Sequence, residues 1–392
     1  MKWNKQEWEQ VKLGDLFTIS SGGTPSRKKS EYFGGTIPWV KTGDLKGKFV
    51  NTPSENITNQ GLENSSAKLF PKDTVLLAMY GATIGACSIM TFQGATNQAC
   101  AALLPSDNCN ENYLYYFLEG NKTQIIRMGV GGAQPNISAG LIKKIKIPLP
   151  PLQSQKEIAD LLDTADALRQ KTQAQLDALD ELAQSVFLEM FGDPVTNEKG
   201  WEVRTVKQLC TKVTDGTHHS PPLTENGFKY VTAKHVKKDG VIFNGKETFI
   251  SEKHHREIYS RCSPEKGDIL YIKDGATTGV AAINPFKEEI SLLSSLALLK
   301  LNNDHCNSYY IVAWLNSEKT KEYLRYTYMS GAAITRFTLK KINSFKVPTP
   351  PLDLQNQFAT IIENIEAQKA SLKASLKESE DLFGCLLQEV FG

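Results

Sequence analysis

The 392-residue sequence lacks the patterns that identify secreted, membrane-spanning and zinc-binding proteins. Its seven cysteines are scattered, odd in number and form no C-x-x-C pair, so reduced thiols are expected rather than a zinc knuckle or a disulfide framework. The N-terminal MKWNKQEWEQ has no apolar run of the kind that a signal peptide needs. Glycine and polar residues interrupt the uncharged stretch Thr74–Ser106, which favours buried strands over a membrane span. We therefore expect a cytoplasmic protein with no membrane partner.

Motifs of common enzyme classes are missing as well. The sequence contains no phosphate-binding GxxxxGK[ST], no GxSxG and no HExxH. It also lacks the ExK tail of metal-dependent nuclease sites and the [DNS]PP[YF] run of amino-methyltransferases. We expect no catalytic residue, no metal site and no cofactor in this chain.

What the sequence does contain is one unit of about 195 residues written twice. The matched segments follow in the same order, at offsets between 193 and 200: Trp8–Leu16 with Trp201–Leu209, Ser21–Thr24 with Thr214–Thr217, Gly81–Gly85 with Gly275–Gly279, Ile147–Gln155 with Val347–Gln355, and Phe191-Gly192 with Phe391-Gly392. All six histidines lie in the second copy, which excludes a histidine-based reaction shared by both.

Each copy divides into a globular part and a long helix. Residues 1–150 and 195–350 mix short β-rich runs (TVLLAMY, DILYIKD, SLALLKL) with glycine turns, and only one or two helices are clear in them, such as one around Tyr113–Glu119. These parts are predicted to be α+β domains. Residues 151–194 and 351–392 follow proline-rich hinges and carry apolar residues three and four positions apart, which predicts helices.

Two long helices with equivalent apolar stripes are expected to pair, because one exposed amphipathic helix is unstable by itself. The first helix leads from the first domain to the second, and the second helix must return. The sequence therefore predicts an antiparallel coiled coil with one domain at each end and a pseudo-twofold internal repeat.

The formal net charge of +2 hides a separation of charge along the chain. Residues 1–150 hold 16 basic and 11 acidic side chains, and residues 195–350 hold 23 and 16. The helical segments 151–194 and 351–392 hold 3 basic against 9 acidic and 3 against 7. Basic domains suit a polyanion such as DNA, whereas acidic helices are better suited to protein partners.

In the order and double occurrence of these motifs, the sequence resembles the DNA-specificity subunit of type I restriction–modification enzymes. Each copy opens with W-E and continues with [ST]-[GD]-G-T, then GAT-x-G, then P-x-P-P-L-x-x-Q before a long helix that ends in F-G. The resemblance covers essentially the whole chain. It implies that each domain is a target recognition domain reading one half of a split sequence in double-stranded DNA, and that the helices set the spacer. Because the two domains differ at most positions between their shared motifs, we expect two different half-sites and an asymmetric target.

The resemblance also implies partners. Two modification (methyltransferase) subunits are expected to dock on the helices and to carry S-adenosylmethionine. Restriction subunits, which translocate DNA, are expected in the full complex with ATP and Mg²⁺. Two alternatives stay open at this point: an adaptor whose basic domains bind acidic proteins, and an enzyme with an unrecognised site.

Candidate DNA-contacting residues are polar or basic side chains near the shared turns, since Arg, Lys, Asn and Gln can make the bidentate contacts that distinguish bases. The shared turns themselves are either framework or part of the reading surface. The candidates are Arg27, Lys28, Lys29, Lys41, Tyr80, Asn97, Gln98 and Gln134 in the first copy, and His218, His219, Lys234, His235, Lys273, Asp274 and Arg336 in the second.

Overall fold

The computed structural model describes residues 5–129, 136–243, 245–329 and 336–392, and it confirms the α+β fold. The chain forms two compact units, one of residues 1–173 with 374–392 and one of residues 174–373. Each unit holds one mixed α+β domain and about half of each long helix. The domain boundaries predicted at residues 150, 194 and 350 stay predictions. Replacement of single domains at these boundaries would test them.

The first unit contains eleven strands among its described residues. They are β1 (Glu9–Lys12), β2 (Ile19–Ser21), β3 (Phe33–Val40), β4 (Phe49–Val50), β5 (Glu55–Ile57), β6 (Leu69–Phe70), β7 (Val75–Ala78), β8 (Cys87–Met90), β9 (Gly94–Thr96), β10 (Cys100–Leu103) and β11 (Lys146–Leu149). The helices are α1 (Leu13–Leu16), α2 (Asn59–Glu63), α3 (Glu111–Gly120), α4 (Lys122–Arg127), α5 (Ala139–Lys144) and the start of α6 (Leu152–Phe191). A five-stranded sheet has the order β2-β10-β7-β8-β4, a four-stranded sheet has the order β5-β3-β9-β6, and β1 pairs with β11.

The second unit repeats this plan with differences in its second sheet. Its strands are β12 (Glu202–Thr205), β13 (Cys210–Asp215), β14 (Leu223–Thr224), β15 (Phe228–Val231), β16 (Val236–Lys237), β17 (Gly240–Val241), β18 (Phe249–Ile250), β19 (Ile269–Ile272), β20 (Ala281–Ile283), β21 (Ile290–Leu292), β22 (Leu296–Leu301) and β23 (Lys346–Thr349). Its helices are α7 (Val206–Leu209), α8 (Glu252–Tyr259), α9 (Ser308–Asn316), α10 (Glu318–Met329), α11 (Leu339–Asn343) and the start of α12 (Leu352–Phe391). The sheet orders are β13-β22-β19-β20, β14-β18-β15-β21, β16-β17 and β12-β23.

The apolar runs form strands where the sequence predicts them, as β7, β19 and β22, and the helix predicted around Tyr113–Glu119 is α3. The prediction of one or two helices per domain is too low, because α1 to α5 all lie in the first domain. Four of these five have six residues or fewer, too short for a 3.6-residue period to be visible. The uncharged stretch forms β7 to β10, and in the described part of the chain no helix is long and apolar enough to cross a membrane.

The repeated P-x-P-P-L-x-x-Q motif is a clasp that joins each domain to its helix. Gln155 is fully buried; its Nε2 donates to the Pro150 carbonyl at 2.8 Å and its Oε1 accepts from the Asn110 backbone N–H at 2.8 Å. Gln355 donates in the same way to Pro350 at 2.8 Å and accepts from Asn307 at 2.9 Å. The glutamine therefore satisfies backbone groups at the hinge that would otherwise be buried without partners.

Both units show that the long helices pair in antiparallel orientation. In the first unit the beginning of α6 meets the end of α12: Ile158 and Leu162 share a core with Val390, and the Arg169 guanidinium lies 4.7 Å from the Phe383 ring centre. The predicted pairing of the helices is therefore confirmed.

In the second unit the opposite ends of the same two helices meet. The rings of Phe187 and Phe191 lie 5.7 Å and 5.2 Å from the ring of Phe358. Farther along, Lys369 Nζ is 2.6 Å from Asp180 Oδ1. Each helix has 40 residues, which corresponds to about 60 Å at 1.5 Å per residue.

Candidate nucleic-acid interface

Three segments of the first unit, two of which contain candidate residues, meet at one edge of its five-stranded sheet. Ser21, the last residue of β2, pairs with Ala101, and Ala78, the last residue of β7, pairs with Cys100. Antiparallel pairing thus brings the turns after β2 and β7 beside the residues that precede β10. We call residues 21–24, 80–85 and 97–99 together the first edge.

The glycines of the first edge are framework. Gly23 donates its N–H to the Thr96 carbonyl at 2.9 Å, which ties the turn after β2 to the end of β9 in the other sheet. A Cβ on Gly22 would lie 2.1 Å from the Thr96 carbonyl oxygen, closer than any side chain allows. The two sheets therefore approach each other through glycine backbone, which explains why the two middle positions of S-G-G-T are glycine.

The second unit builds the equivalent edge with the same backbone. Asp215, at the end of β13, pairs with Ala297, and Ile272, at the end of β19, pairs with Leu296. A Cβ on Gly216 would lie 1.9 Å from the Leu292 carbonyl oxygen. We call residues 215–219, 273–279 and 293–296, with Arg336, the second edge.

The structure places three of the sequence-predicted residues on the first edge. Thr24 donates from its hydroxyl to Gln98 Oε1, and Gln98 is exposed. Tyr80 is half-buried at the start of the GAT-x-G turn. The Asn97 side-chain oxygen is buried and accepts no hydrogen bond from any described residue. Gln134 lies outside the described residues.

The basic candidates of the first unit gather beside the second sheet. Arg27 lies 2.7 Å from Glu55 and over the ring of Phe33 at 4.4 Å, and Lys41 reaches the other Glu55 oxygen at 3.1 Å. The hydrogen bond from Arg27 is the main reason that the pKa of Glu55 is lowered. A guanidinium held by a carboxylate and an aromatic ring is pre-oriented for bidentate contact.

The adjacent lysines Lys28 and Lys29 differ in their contacts. Lys28 is exposed. Lys29 donates to the Tyr32 hydroxyl at 2.8 Å.

In the second unit the exposed candidates are His218, His219, Lys234 and Arg336. Arg336 reaches the second edge because its backbone forms an antiparallel bridge with Asp274, and its Nε lies 3.6 Å from Asp274 Oδ2. His218 Nε2 lies 3.7 Å from Asp215 Oδ1. These contacts bring together residues that are far apart in the sequence.

Lys273 lies beneath the second edge. Its side chain is only 2% exposed, and its Nζ is 3.2 Å from Asp215 Oδ2. Its backbone N–H donates to Ser295 at 2.9 Å and its carbonyl accepts from Phe337 at 2.8 Å. Lys273 therefore supports the surface from inside the domain.

His235 is also inside the domain, where it closes a turn. Its Nδ1 accepts the Thr232 N–H at 3.1 Å, just as Asp44 Oδ2 accepts the Lys41 N–H at 2.8 Å in the first unit. Burial, with help from nearby Lys234 and Lys237, lowers the pKa of His235 to about 4. The neutral imidazole is required because a protonated Nδ1 cannot accept a hydrogen bond.

This arrangement predicts a pH-dependent stability of the second unit. A histidine with a pKa near 6.5 when unfolded and about 4 when folded binds more protons in the unfolded state between those values, so stability falls as the pH drops from 7 towards 4. We expect a loss of about 2 kcal/mol in the free energy of unfolding between pH 7.5 and pH 5 from this group. Urea unfolding of the chain and of its His235→Asn variant measures it.

The asparagine variant is the matched control, since its Oδ1 accepts the same N–H and does not titrate. It should lose about 2 kcal/mol less than the parent chain over the same pH interval. Equal pH dependence of the two proteins would show that His235 is not the group responsible.

The described residues hold no clustered set of metal ligands, and most of their thiols are buried. They contain no group of three His, Cys, Asp or Glu side chains placed to hold a metal ion. Burial raises the pKa of several thiols to about 12, so these sulfurs stay protonated and unreactive at neutral pH. They are Cys100, Cys109, Cys210, Cys262 and Cys306.

The two units correspond to two matches to one family model, the type I restriction modification DNA specificity domain, over residues 5–178 and 198–379. The chain belongs to this family. The match covers both α+β domains and most of both long helices, so the internal repeat is a tandem pair of specificity domains.

Similar proteins match either most of the chain or a part of it. The MjaIX specificity subunit of Methanocaldococcus jannaschii is 27% identical over 386 residues, which is 91% of this chain and 86% of the relative. The EcoR124I/EcoR124II specificity subunit of Escherichia coli is 27% identical over 173 residues, 43% of this chain and 42% of the relative. The crystal structure of the S subunit from M. genitalium shares the fold, with a TM-score of 0.61, 16% identity and coverage of 100% of this chain and 98% of that one.

The second specificity domain has further surface residues that the sequence reasoning missed. Arg325 of α10 donates to the Thr278 carbonyl in the GAT-x-G turn at 3.2 Å. The next residue, Tyr326, is 86% exposed. Arg261 donates to the Gly216 carbonyl at 2.5 Å. The alternation of basic and aromatic residues in KEYLRYTYM is the signal that could have identified α10.

Proposed function

We propose that this chain is the DNA-recognition subunit of a type I restriction–modification complex and that each specificity domain reads one half of a bipartite, asymmetric target. The observation that carries the proposal is the pair of equivalent edges. Both are built from the same backbone turns, yet they present different side chains: Thr24 and Gln98 on one, His218 and Arg336 on the other. A shared frame with different polar groups is what two readers of different half-sites need.

We infer that the exposed and half-buried members of these clusters contact DNA. They are Arg27, Lys28, Lys29, Lys41, Tyr80, Asn97 and Gln98 in the first domain, and His218, His219, Lys234, Asp274 and Arg336 in the second. Lys273 and His235 are left out of the contact set because both side chains are buried. The net positive charge of both domains supports binding to the phosphate backbone.

The paired helices are proposed to set the spacer between the half-sites and to dock two modification subunits, with restriction subunits in the full complex. The acidic composition of both helices disfavours contact with DNA. Leucines on the first helix are exposed although they flank its packed face, which suits a protein partner. These are Leu161, Leu168, Leu182 and Leu188.

In this proposal the chain itself is not catalytic and acts in the cytoplasm with its partners. S-adenosylmethionine would be bound by the modification subunits, and ATP and Mg²⁺ by the restriction subunits. The absence of GxxxxGK[ST] and [DNS]PP[YF] motifs from the sequence supports the assignment of these cofactors to the partner subunits.

Reconstitution with the modification subunits tests the proposal. We expect methylation of one bipartite motif in random-sequence DNA only when this chain is present. Removal of a base contact costs about 1–3 kcal/mol of discrimination, so Arg27→Ala should lower discrimination at the first half-site by about 10-fold or more. Arg336→Ala should do the same at the second half-site only.

Two results would contradict this function. Methylation by the isolated chain would make it an enzyme. Sequence-independent methylation by the complex would favour an adaptor without a reading function.

A further inference from the structure

The second edge rests on a buried ion pair that the first edge does not have. Lys273 and Asp215 are 2% and 10% exposed at their side chains, with 3.2 Å between Nζ and Oδ2. Lys273 follows β19 as Met79 follows β7, so these two residues occupy the same position of the repeat. Asp215 ends β13 opposite Ala297 as Ser21 ends β2 opposite Ala101, so Asp215 takes the place of Ser21. The two domains therefore differ at both positions of the pair together.

The frame around these positions is the same with and without the pair. Met79 donates its N–H to the Ala99 carbonyl at 2.8 Å, and its own carbonyl accepts from Ile137 at 2.8 Å. Lys273 makes the equivalent bonds with Ser295 and Phe337, at 2.9 Å and 2.8 Å. The ion pair is thus not needed to build this part of the fold.

Stability is a weak reason to keep such a pair. Desolvation of two charges roughly offsets their attraction, and apolar residues of similar size are often as stable or more so. The first domain uses Met79, which is 6% exposed, in the same place. A role in positioning neighbouring surface residues explains the ion pair better than a contribution to stability does.

The residues that this ion pair can position lie at the surface of the domain, directly above the pair. The second Asp215 oxygen, Oδ1, lies 3.7 Å from Nε2 of His218, whose side chain is 52% exposed. Arg261 donates to the carbonyl of the adjacent Gly216 at 2.5 Å, so further positive charge lies close to Asp215. Lys273 neutralises a carboxylate that would otherwise repel phosphate, while Asp215 remains available to hold His218.

We propose that the Asp215–Lys273 pair is a positioning element that orients His218 towards DNA and thereby determines specificity at the second half-site. This inference rests on the proposed function. Lys273 and Asp215 do not touch DNA in this account, and His218 is the residue that does.

The test is a double-mutant cycle in the reconstituted complex, using duplexes with the methylated motif and its single-base variants. Because a lone Asp215→Asn or Lys273→Met leaves one buried charge unpaired, the two changes are combined. We expect Asp215→Asn/Lys273→Met to lower discrimination at the second half-site about 10-fold and to leave the first half-site unchanged. His218→Ala should have a similar effect, and the triple variant should be no worse than either, since all act through one contact.

The matched control neutralises an ion pair elsewhere in the same domain. Lys229 Nζ lies 2.7 Å from Glu288 Oε1, and neither residue belongs to the second edge. Lys229→Met/Glu288→Gln should leave discrimination at both half-sites as it is. Thermal unfolding of every variant reports whether the fold is retained.

Each outcome is decisive. The positioning role would be overturned if the effects of His218→Ala and of the neutralised pair were additive. It would also be overturned if the neutralised pair left discrimination unchanged, or lowered it equally at both half-sites. Loss of folding in the neutralised variant would also overturn it, because the pair would then be structural. If the unaltered complex methylates no bipartite motif, the proposed function fails, and that result is visible before any variant is compared.

Discussion

Replacement of residues 1–150 by the corresponding domain of a specificity subunit with a different target is expected to change one half of the methylated sequence and to leave the other half unchanged. Methylation of the original target should fall by at least about 100-fold, because loss of several base contacts at about 1–3 kcal/mol each removes recognition of that half-site. The described residues that form the hydrophobic core of the second unit all lie outside 1–150, so the second domain should keep its structure. Sequencing of methylated DNA from cells that express the complex measures the outcome.

The reciprocal replacement of residues 195–350 is the internal control. It should change the half that the first replacement leaves intact. If either replacement alters both halves, or neither, the division into two independent readers at residues 150, 194 and 350 is wrong.

Lengthening both long helices by four residues, after Gln173 and after Lys373, is expected to lengthen the spacer and to keep both half-sites. Four helical residues add about 6 Å, which is one to two base pairs at about 3.4 Å each. The parent target should then be methylated at least about 100-fold less than the target with the longer spacer, because only one reader at a time can reach its half-site on the parent target. Methylation assays on duplexes that differ only in spacer length measure this change.

Insertion into only one helix is the control for this prediction. It shifts the antiparallel register that joins Phe187 and Phe191 to Phe358 in the second unit, and Arg169 to Phe383 in the first. We expect this variant to lose stability and methylation of every spacer variant. An unaltered spacer preference after insertion into both helices would show that the helices do not set the distance.

The sequence could not predict which of the candidate side chains are buried. His218 and His235 both follow turns in the same basic domain, yet one is exposed and the other closes a turn through Thr232. Lys273 follows an apolar run, as an exposed turn residue would, but it is buried against Asp215. In each case the deciding partner comes from the way that strands are assembled, which no local pattern records.

The sequence by itself determined the duplication, the two long helices, the α+β class of the domains and the separation of basic domains from acidic helices. These features depend on short-range periodicity, on repeated motifs and on composition, all of which are visible along the chain. Only the tertiary structure decided that the shared glycine turns are framework, that the two edges hold different side chains on one backbone plan, and that an ion pair underlies only the second edge. The physical reason is that close approach and desolvation arise between residues distant in sequence, such as Gly216 with Leu292 and Asp215 with Lys273.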